Sequence, residues 1–482
     1  MATISSTGIG SGIDVDSLIG KLMSLQQQPI KDITTKSSGL QTQLSVYGQV
    51  KSALSTLRDA AAKLTSPATW YSVKATSSDT TAVTVASSGT PATGSLSVEV
   101  KQLASAQSIA MASSAANTSA TVGQGTLTIQ LGTWATDANN NPTGFTAKSG
   151  SSAVDVTIDA GDKLTDIRDK INAANAGVTA SIIQDASGAR LTITSKNSGE
   201  SNGFRIQAAP GPDDTGGLAQ LAYDPIGQSS GMTLALRAVN ARALVNGLPV
   251  SSETNALNNT IDGLNILLLK VTPPVTLSIA SDTDAIRKAI TDFTAAYNAI
   301  NAMLRTQTKY DDSTKTAGPL QGDSTAISLV SQLRSIVGGN TTLAGTLTRM
   351  ADLGLDPGKD GSLGAGGTKL DNALNSKMSD LKTFFMGVDK NDSANNGFAT
   401  KLRSFVDTVL GSDGSLSSRS KGIQSQIDRN NKRINELSDR NDSMEKRLRA
   451  QYSALDSTMS KYNGLSTYLS QQLSMLNKQS GG

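Results

Sequence analysis

From Lys421 to Lys478 the chain reads KGIQSQIDRNNKRINELSDRNDSMEKRLRAQYSALDSTMSKYNGLSTYLSQQLSMLNK. No proline interrupts this stretch, and its only glycines are Gly422 and Gly464. Apolar residues recur at Ile423, Ile427, Ile434, Leu437, Met444, Leu448, Tyr452, Leu455, Met459, Tyr462, Leu469, Leu473 and Leu476. The steps are mostly three or four, the spacing of a heptad seam. Asn430, Asn441 and Ser466 fall on that seam, where a polar residue costs stability and pins register. Met444, Leu448 and Tyr452 make two successive steps of four, a stutter that locally unwinds a supercoil. As one helix, Ile423 to Leu476 would span roughly 80 Å at about 1.5 Å per residue. So narrow a stripe cannot bury itself. It needs a second helix, and the spacing is satisfied equally by a long helix inside a bundle and by a terminus that assembles.

The opposite end of the chain offers such a helix. Leu40, Leu44, Tyr47, Val50, Leu54, Leu57, Ala61 and Leu64 recur in threes and fours until Pro67 stops them. Ahead of them, Asp14 or Asp16 caps a shorter helix with Leu18, Leu22 and Leu25 as its stripe, interrupted at Pro29. Upstream of the long helix, Asp282 or Thr283 caps another that carries Ile286, Ile290, Phe293, Tyr297, Ile300 and Leu304. Helical character then holds to the end, broken by the glycine-rich stretch 354–367.

Between these helices the period changes to two. Val83 and Val85, then Leu96, Val98 and Val100, alternate with polar residues. Residues 104–125 read as a linker or irregular crossing, 127–131 as a strand, and Asp137 to Gly144 as a loop. Val154, Val156 and Ile158 form a strand. A short helix from Gly161-Asp162 follows, with Leu164, Ile167 and Ile171 on one face, and then strands at 178–183 and 190–194. Residues 207–231 read as a long loop. Strands return at 232–237 and 242–245, Asn246-Gly247 signals a hairpin to 248–250, and Ile261 to Val271 and Val275 to Ile279 complete the region. The order is helix, sheet, second sheet unit, sheet, helix. The economical solution is a multi-domain α+β chain. A helical coiled-coil stem from both termini carries nested antiparallel β-rich head domains. The expected division is 1–40 with 451–482, 41–69 with 281–450, 70–115 with 232–280, and 116–231 as the innermost insertion.

Composition closes off most chemistry. Among 482 residues there is no cysteine and no histidine, which removes disulfides, Cys/His zinc sites, cysteine nucleophiles and imidazole bases. The net charge of +3 implies no polyanion partner. Nine Lys/Arg against five Asp/Glu between Arg419 and Arg449 are interspersed without aromatics, as on a solvated helix rather than a nucleic-acid surface. Gly8, Gly10 and Gly12 fail the dinucleotide spacing, because Ile13 stands where the third glycine belongs. Asp389 to Ser393 hints at a calcium loop, yet Ala394 replaces the required glycine and Thr400 the bidentate Glu. No cofactor or metal is expected, and no enzyme. Met1-Ala2-Thr3-Ile4 lacks the features of a Sec signal peptide, and no apolar run is long enough to span a membrane. Cytoplasmic residence or export without a cleaved signal remain.

Several segments, in order, resemble the bacterial flagellar filament cap family, hook-associated protein 2. They are Gly8-Ile9-Gly10-Ser11-Gly12-Ile13-Asp14-Val15-Asp16 with Leu22-Met23, Leu244-Val245-Asn246-Gly247, Ile261-Asp262-Gly263-Leu264-Asn265-Ile266, Gly318-Pro319-Leu320-Gln321-Gly322-Asp323, and Leu353-Gly354-Leu355 to Asp360-Gly361-Ser362-Leu363. The run from Tyr452 through Leu473 also matches. Val156 to Ile167 with Ile171-Asn172 resembles a repeat module of flagellins and cap proteins. The resemblance implies a secreted, non-enzymatic homo-oligomeric ring at the filament tip, usually of about five subunits. It implies flagellin, the hook–filament junction protein, the flagellar type III export machinery and an export chaperone as partners, with no nucleic acid and no membrane. On this reading Leu18, Leu22, Leu25, Leu455, Leu469 and Leu473 form the oligomer or filament interface. Leu44, Tyr47, Leu54, Leu57, Phe293, Tyr297, Ile427, Ile434 and Leu437 pack the stem. The alternatives are a junction or filament structural protein, and a tip adhesin stacking host glycans on Trp134 and Tyr223.

Overall fold

The computed structural model describes residues 14–214, 217–227, 231–313 and 315–479. The Gly8–Ile13 motif lies outside the described residues. Three helices come first: α1 (Val15–Gln26), α2 (Gln28–Leu64) and the single turn α3 (Pro67–Trp70). Strands β1 (Val73–Ser77), β2 (Val83–Ser87) and β3 (Gly94–Gln102) follow. An inserted block then holds β4 (Ser108–Met111), β5 (Gly125–Thr136), β6 (Pro142–Ala147), β7 (Val154–Ile158), α4 (Leu164–Ala173), β8 (Val178–Asp185), β9 (Gly188–Ser195), β10 (Gly203–Pro210) and β11 (Met232–Leu236). The chain returns through β12 (Ala241–Val245), β13 (Leu248–Ser252), β14 (Ala256–Ile261), β15 (Leu264–Leu268) and β16 (Thr272–Ser281). It closes with α5 (Thr283–Thr308), a small hairpin of β17 (Tyr310–Asp311) and β18 (Thr316–Ala317), α6 (Ser324–Gly338), α7 (Gly367–Ser376), α8 (Met378–Met386), α9 (Phe398–Leu410) and α10 (Ser415–Gln479).

Two compact units result: Met1–Trp70 with Thr283–Gly482, and Tyr71–Asp282. The helical unit packs α2 against α5, α9 and α10. Its core joins Tyr47, Val50, Leu54 and Leu57 to Phe293, Tyr297, Phe384, Phe385, Phe398, Ile423 and Ile427. The scarce aromatics are concentrated here, with Phe384 and Phe398 centroids 4.6 Å apart. Helix starts follow sequence signals. Asp14 accepts the Ser17 N–H (2.9 Å) ahead of α1, and Asp323 accepts the Thr325 and Ala326 N–H groups ahead of α6. Pro29 lies in the first turn of α2, where a missing N–H is harmless.

In the β unit every strand pairing is antiparallel. An inner lobe is built from the sheets β1-β16-β3-β12-β13 and β14-β15-β2, closing on Val98, Val100, Leu257, Ile266 and Leu277. An outer lobe is built from β11-β4-β9-β8 and β10-β5-β6, with β7 also on β5. Its core includes Ile167 and Ile171 of α4 and Phe204 of β10. Asn246 (φ 48°) and Gly247 (φ 81°) make the tight β12–β13 turn, and both positive φ values fit the primed hairpin type.

Four expectations need correction. Ile261 to Val271 is not one strand, because Asp262-Gly263 turns the chain between β14 and β15 and Gly263 takes φ 73°. The loop expected over Asp137 to Gly144 ends early, since β6 begins at Pro142. The long loop over 207–231 contains the end of β10 and a short 3-10 turn at Leu218–Leu221. The crossing at 104–125 includes β4.

Candidate functional site

The site takes shape where α1 lies along α10. Val15, Ile19 and Met23 form the buried face of α1, packed with Leu448 and Tyr452 of α10. Two polar contacts fix the pairing. Asn441 Nδ2 donates to the Gln26 carbonyl (3.1 Å) at the α1–α2 junction, and Arg449 reaches the Asp16 carboxylate at 2.6 Å. The seam asparagine therefore satisfies a carbonyl freed where one helix gives way to the next.

The face expected to be the stripe of α1 is the other one. Leu18, Leu22 and Leu25 are 38–71 % exposed and border a shallow groove with Asp14, Ser17 and Lys21. α1 is thus apolar on two sides, and among the described residues only one of them is covered. The far part of α10 is similar. Seam residues Ile434, Leu437, Met444, Leu448 and Tyr452 are half-buried, whereas Leu455, Leu469 and Leu473 are 47–65 % exposed. Met459, Tyr462 and Leu476 are exposed too, together with Leu465, Tyr468 and Met475, which the seam count omits. At about 100° per residue these last three stand roughly a quarter to half a turn off the seam. Past Met459 the apolar surface wraps much of the helix, more than one partner helix can cover.

The stem residues named from the sequence occupy different depths. Tyr47, Leu54, Leu57, Phe293, Tyr297 and Ile427 are buried, Leu44 is partly buried against the same core, and Ile434 and Leu437 lie on the half-buried stretch. One polar node joins three helices at this core. The Tyr47 hydroxyl donates to Asp323 Oδ1 (2.6 Å), and Arg419 reaches Asp323 Oδ2 at 2.8 Å. Burial, then the Asp323 contact, pushes the Tyr47 phenol well above its ordinary range. Burial of Asp323 acts upward too, but the bonds from Tyr47, the Ala326 amide and Arg419 outweigh it and hold the carboxyl below its usual value. Tyr297 has no such partner. Its hydroxyl is buried without a hydrogen bond, and burial pushes it up to about 12.

The decoys resolve into local structure. Asp389 accepts the Asn391 and Asp392 amides and the Asn395 side chain, while the Lys401 ammonium donates to the Asn340 and Ala394 carbonyls, both at 2.9 Å. Among the described residues no group of three or more His, Cys, Asp or Glu could hold a metal, and no helix is long and apolar enough to cross a membrane. Trp134 packs against Phe145 and Tyr223 (4.7 and 5.8 Å between centroids) and donates its indole N–H to Gln107 Oε1 and the Phe204 carbonyl. An internally packed ring offers little to a glycan.

Residues 11–107 match the family profile described as flagellar hook-associated protein 2 N-terminus, and residues 238–464 match the corresponding C-terminus profile. Residues 143–197 match a flagellin hook IN motif. Flagellar hook-associated protein 2 of Escherichia coli K12 is 30 % identical over 98 % of each chain. The Salmonella typhimurium protein of that name is 27 % identical over 99 % of this chain and 100 % of its own. The crystal structure of the D1-D2-D3 domains of the flagellar cap protein FliD from Escherichia coli is similar at a TM-score of 0.58 and 28 % identity, covering 79 % of this chain and 99 % of that one.

Proposed function

Since this chain belongs to the flagellar hook-associated protein 2 family, we propose that the exposed faces of α1 and the end of α10 are its assembly surface. The chain is a structural, non-enzymatic cap protein of the bacterial flagellum, acting outside the cell at the filament tip. The observation that carries the assembly reading is the run of exposed apolar side chains from Leu455 to Leu476, matched by Leu18, Leu22 and Leu25 across α1. Contiguous exposed apolar surface marks an interaction site, and helical contacts of this kind suit a cap that moves as subunits are added.

On this reading segments 1–40 and 451–482 bind neighbouring copies and the filament end, in a ring of about five subunits. Newly exported flagellin inserts beneath the ring, which first rests on the hook–filament junction protein. The chain itself leaves the cell through the flagellar type III machinery, escorted by an export chaperone. The test is a strain lacking its own cap protein, supplied with the full chain or with residues 36–454. The full chain restores filaments. The truncated chain leaves flagellin monomers in the medium, and normal filaments from it would defeat the assignment.

A further inference from the structure

The two lobes of the β unit have cores that share no residue. The chain leaves the inner lobe along 103–107 and returns along 237–240. These passages bridge at Ser105 and Val239, whose backbones exchange hydrogen bonds of 3.0 and 3.2 Å. Ser105 Oγ adds a bond of 2.6 Å to the Arg237 carbonyl.

The lobes also meet through loop 197–202 of the outer lobe. Ser198 Oγ donates to the Glu253 carbonyl (2.7 Å), and Ser201 Oγ to Glu253 Oε1 (2.5 Å). The Glu200 N–H donates to Asn240 Oδ1 (2.8 Å), and the Glu200 carboxylate pairs with Arg242 at 3.1 Å. Gly199, at φ +97°, lies so close that a Cβ there would stand 2.6 Å from Glu253 Cβ and 2.8 Å from its Cα. Every one of these bonds is polar, and Glu200, Arg242 and Glu253 remain open to water. Water can replace such bonds at small net cost, and domains joined without a large apolar interface move relative to one another by default.

We propose that the outer lobe, residues 108–236, pivots as a rigid body on this two-strand neck, with loop 197–202 as a latch and Glu253, Asn240 and Arg242 as its catch. Release breaks these polar bonds and opens neither core. The device gives the β unit two presentations of its outer lobe, and it stands independently of the assembly surface on the helical unit.

The chain has no cysteine, so Gln184→Cys and Ser278→Cys place one spin label on each lobe at exposed positions. Electron–electron double resonance on the full chain reads the distance between them. With Glu253→Ala and Arg242→Ala together the distribution broadens or gains a second maximum, and Gly199→Ala has the same effect by forcing the latch off. One narrow distance, unchanged in both variants, overturns the proposal. Hydrogen exchange reads the opening in the unsubstituted chain. The Gly199 and Glu200 amides exchange on the order of a hundredfold faster than those of β9 and β10, and equal protection likewise overturns it.

Discussion

Asp323 stands last in the motif Gly318-Pro319-Leu320-Gln321-Gly322-Asp323, and its surroundings explain why a carboxylate is needed there. It caps α6, accepts the Tyr47 hydroxyl and pairs with Arg419, so one side chain ties α2, α6 and α10. Asp323 is buried while Arg419 is partly open to water, and Asp323→Ala, which removes the α6 cap and the Tyr47 bond together with the ion pair, should cost on the order of 3 kcal/mol in urea unfolding. The pH dependence has a definite sign. The folded carboxyl is held below its unfolded value of about 4, so its contribution is complete above that value and is lost as the pH falls toward the folded one. Asp323→Asn should therefore flatten the acid limb of the stability profile, and an unaltered limb would show that other groups dominate it. Two tyrosines make an internal contrast. Tyr47→Phe loses a bonded hydroxyl and should destabilise by about 1 kcal/mol, whereas Tyr297→Phe removes a buried hydroxyl with no partner and should be neutral or stabilising. Thermal melts of the two variants check the opposite signs.

Among the elements, α1 shows where pattern reading stops. Leu18, Leu22 and Leu25 lie at helical spacing, and so do Val15, Ile19 and Met23. Periodicity marks both faces as apolar, but only the position of α10 decides which is covered at home. Leu465, Tyr468 and Met475 escape a seam count for a related reason. They lie off the heptad positions and become informative only once that surface of α10 is seen to be bare. The strand missed over 142–147 is rich in threonine, glycine and proline, and its pairing with β5 supplies what local propensity does not, while 203–210 pairs with β5 on its other edge. Asn441 on α10 reads from sequence as a register device and proves to bond the α1–α2 junction. Asn441→Ala should free α1 while leaving the rest of α10 packed. Limited proteolysis near Gln27 should then accelerate several-fold with little change in far-UV circular dichroism. Cleavage at the parent rate would mean that Val15, Ile19 and Met23 suffice to hold the helix.

For the whole molecule, the nested order was legible from the alternation of periods. Helical spacing at both ends enclosed strand spacing. The packing that joins α5 through α9 was not, because the glycine-rich loop 354–367 carries little period of its own and is placed by contacts such as Asn298 to the Leu363 backbone. The helical unit buries Tyr47, Trp70, Phe293, Tyr297, Phe384, Phe385 and Phe398 and leaves leucines at the end of α10 in water, an arrangement that suits a chain meant to function among copies and on a filament. The direct measurement is complementation of a strain lacking its cap protein with the full chain carrying Leu465→Glu, Leu469→Glu and Leu473→Glu, scored by electron microscopy of filaments and by flagellin released into the medium. These side chains contribute to no core among the described residues, so the variant should fold and be exported, yet leave cells without filaments and with monomeric flagellin outside. Filaments of normal number and length from the exported variant would contradict the account.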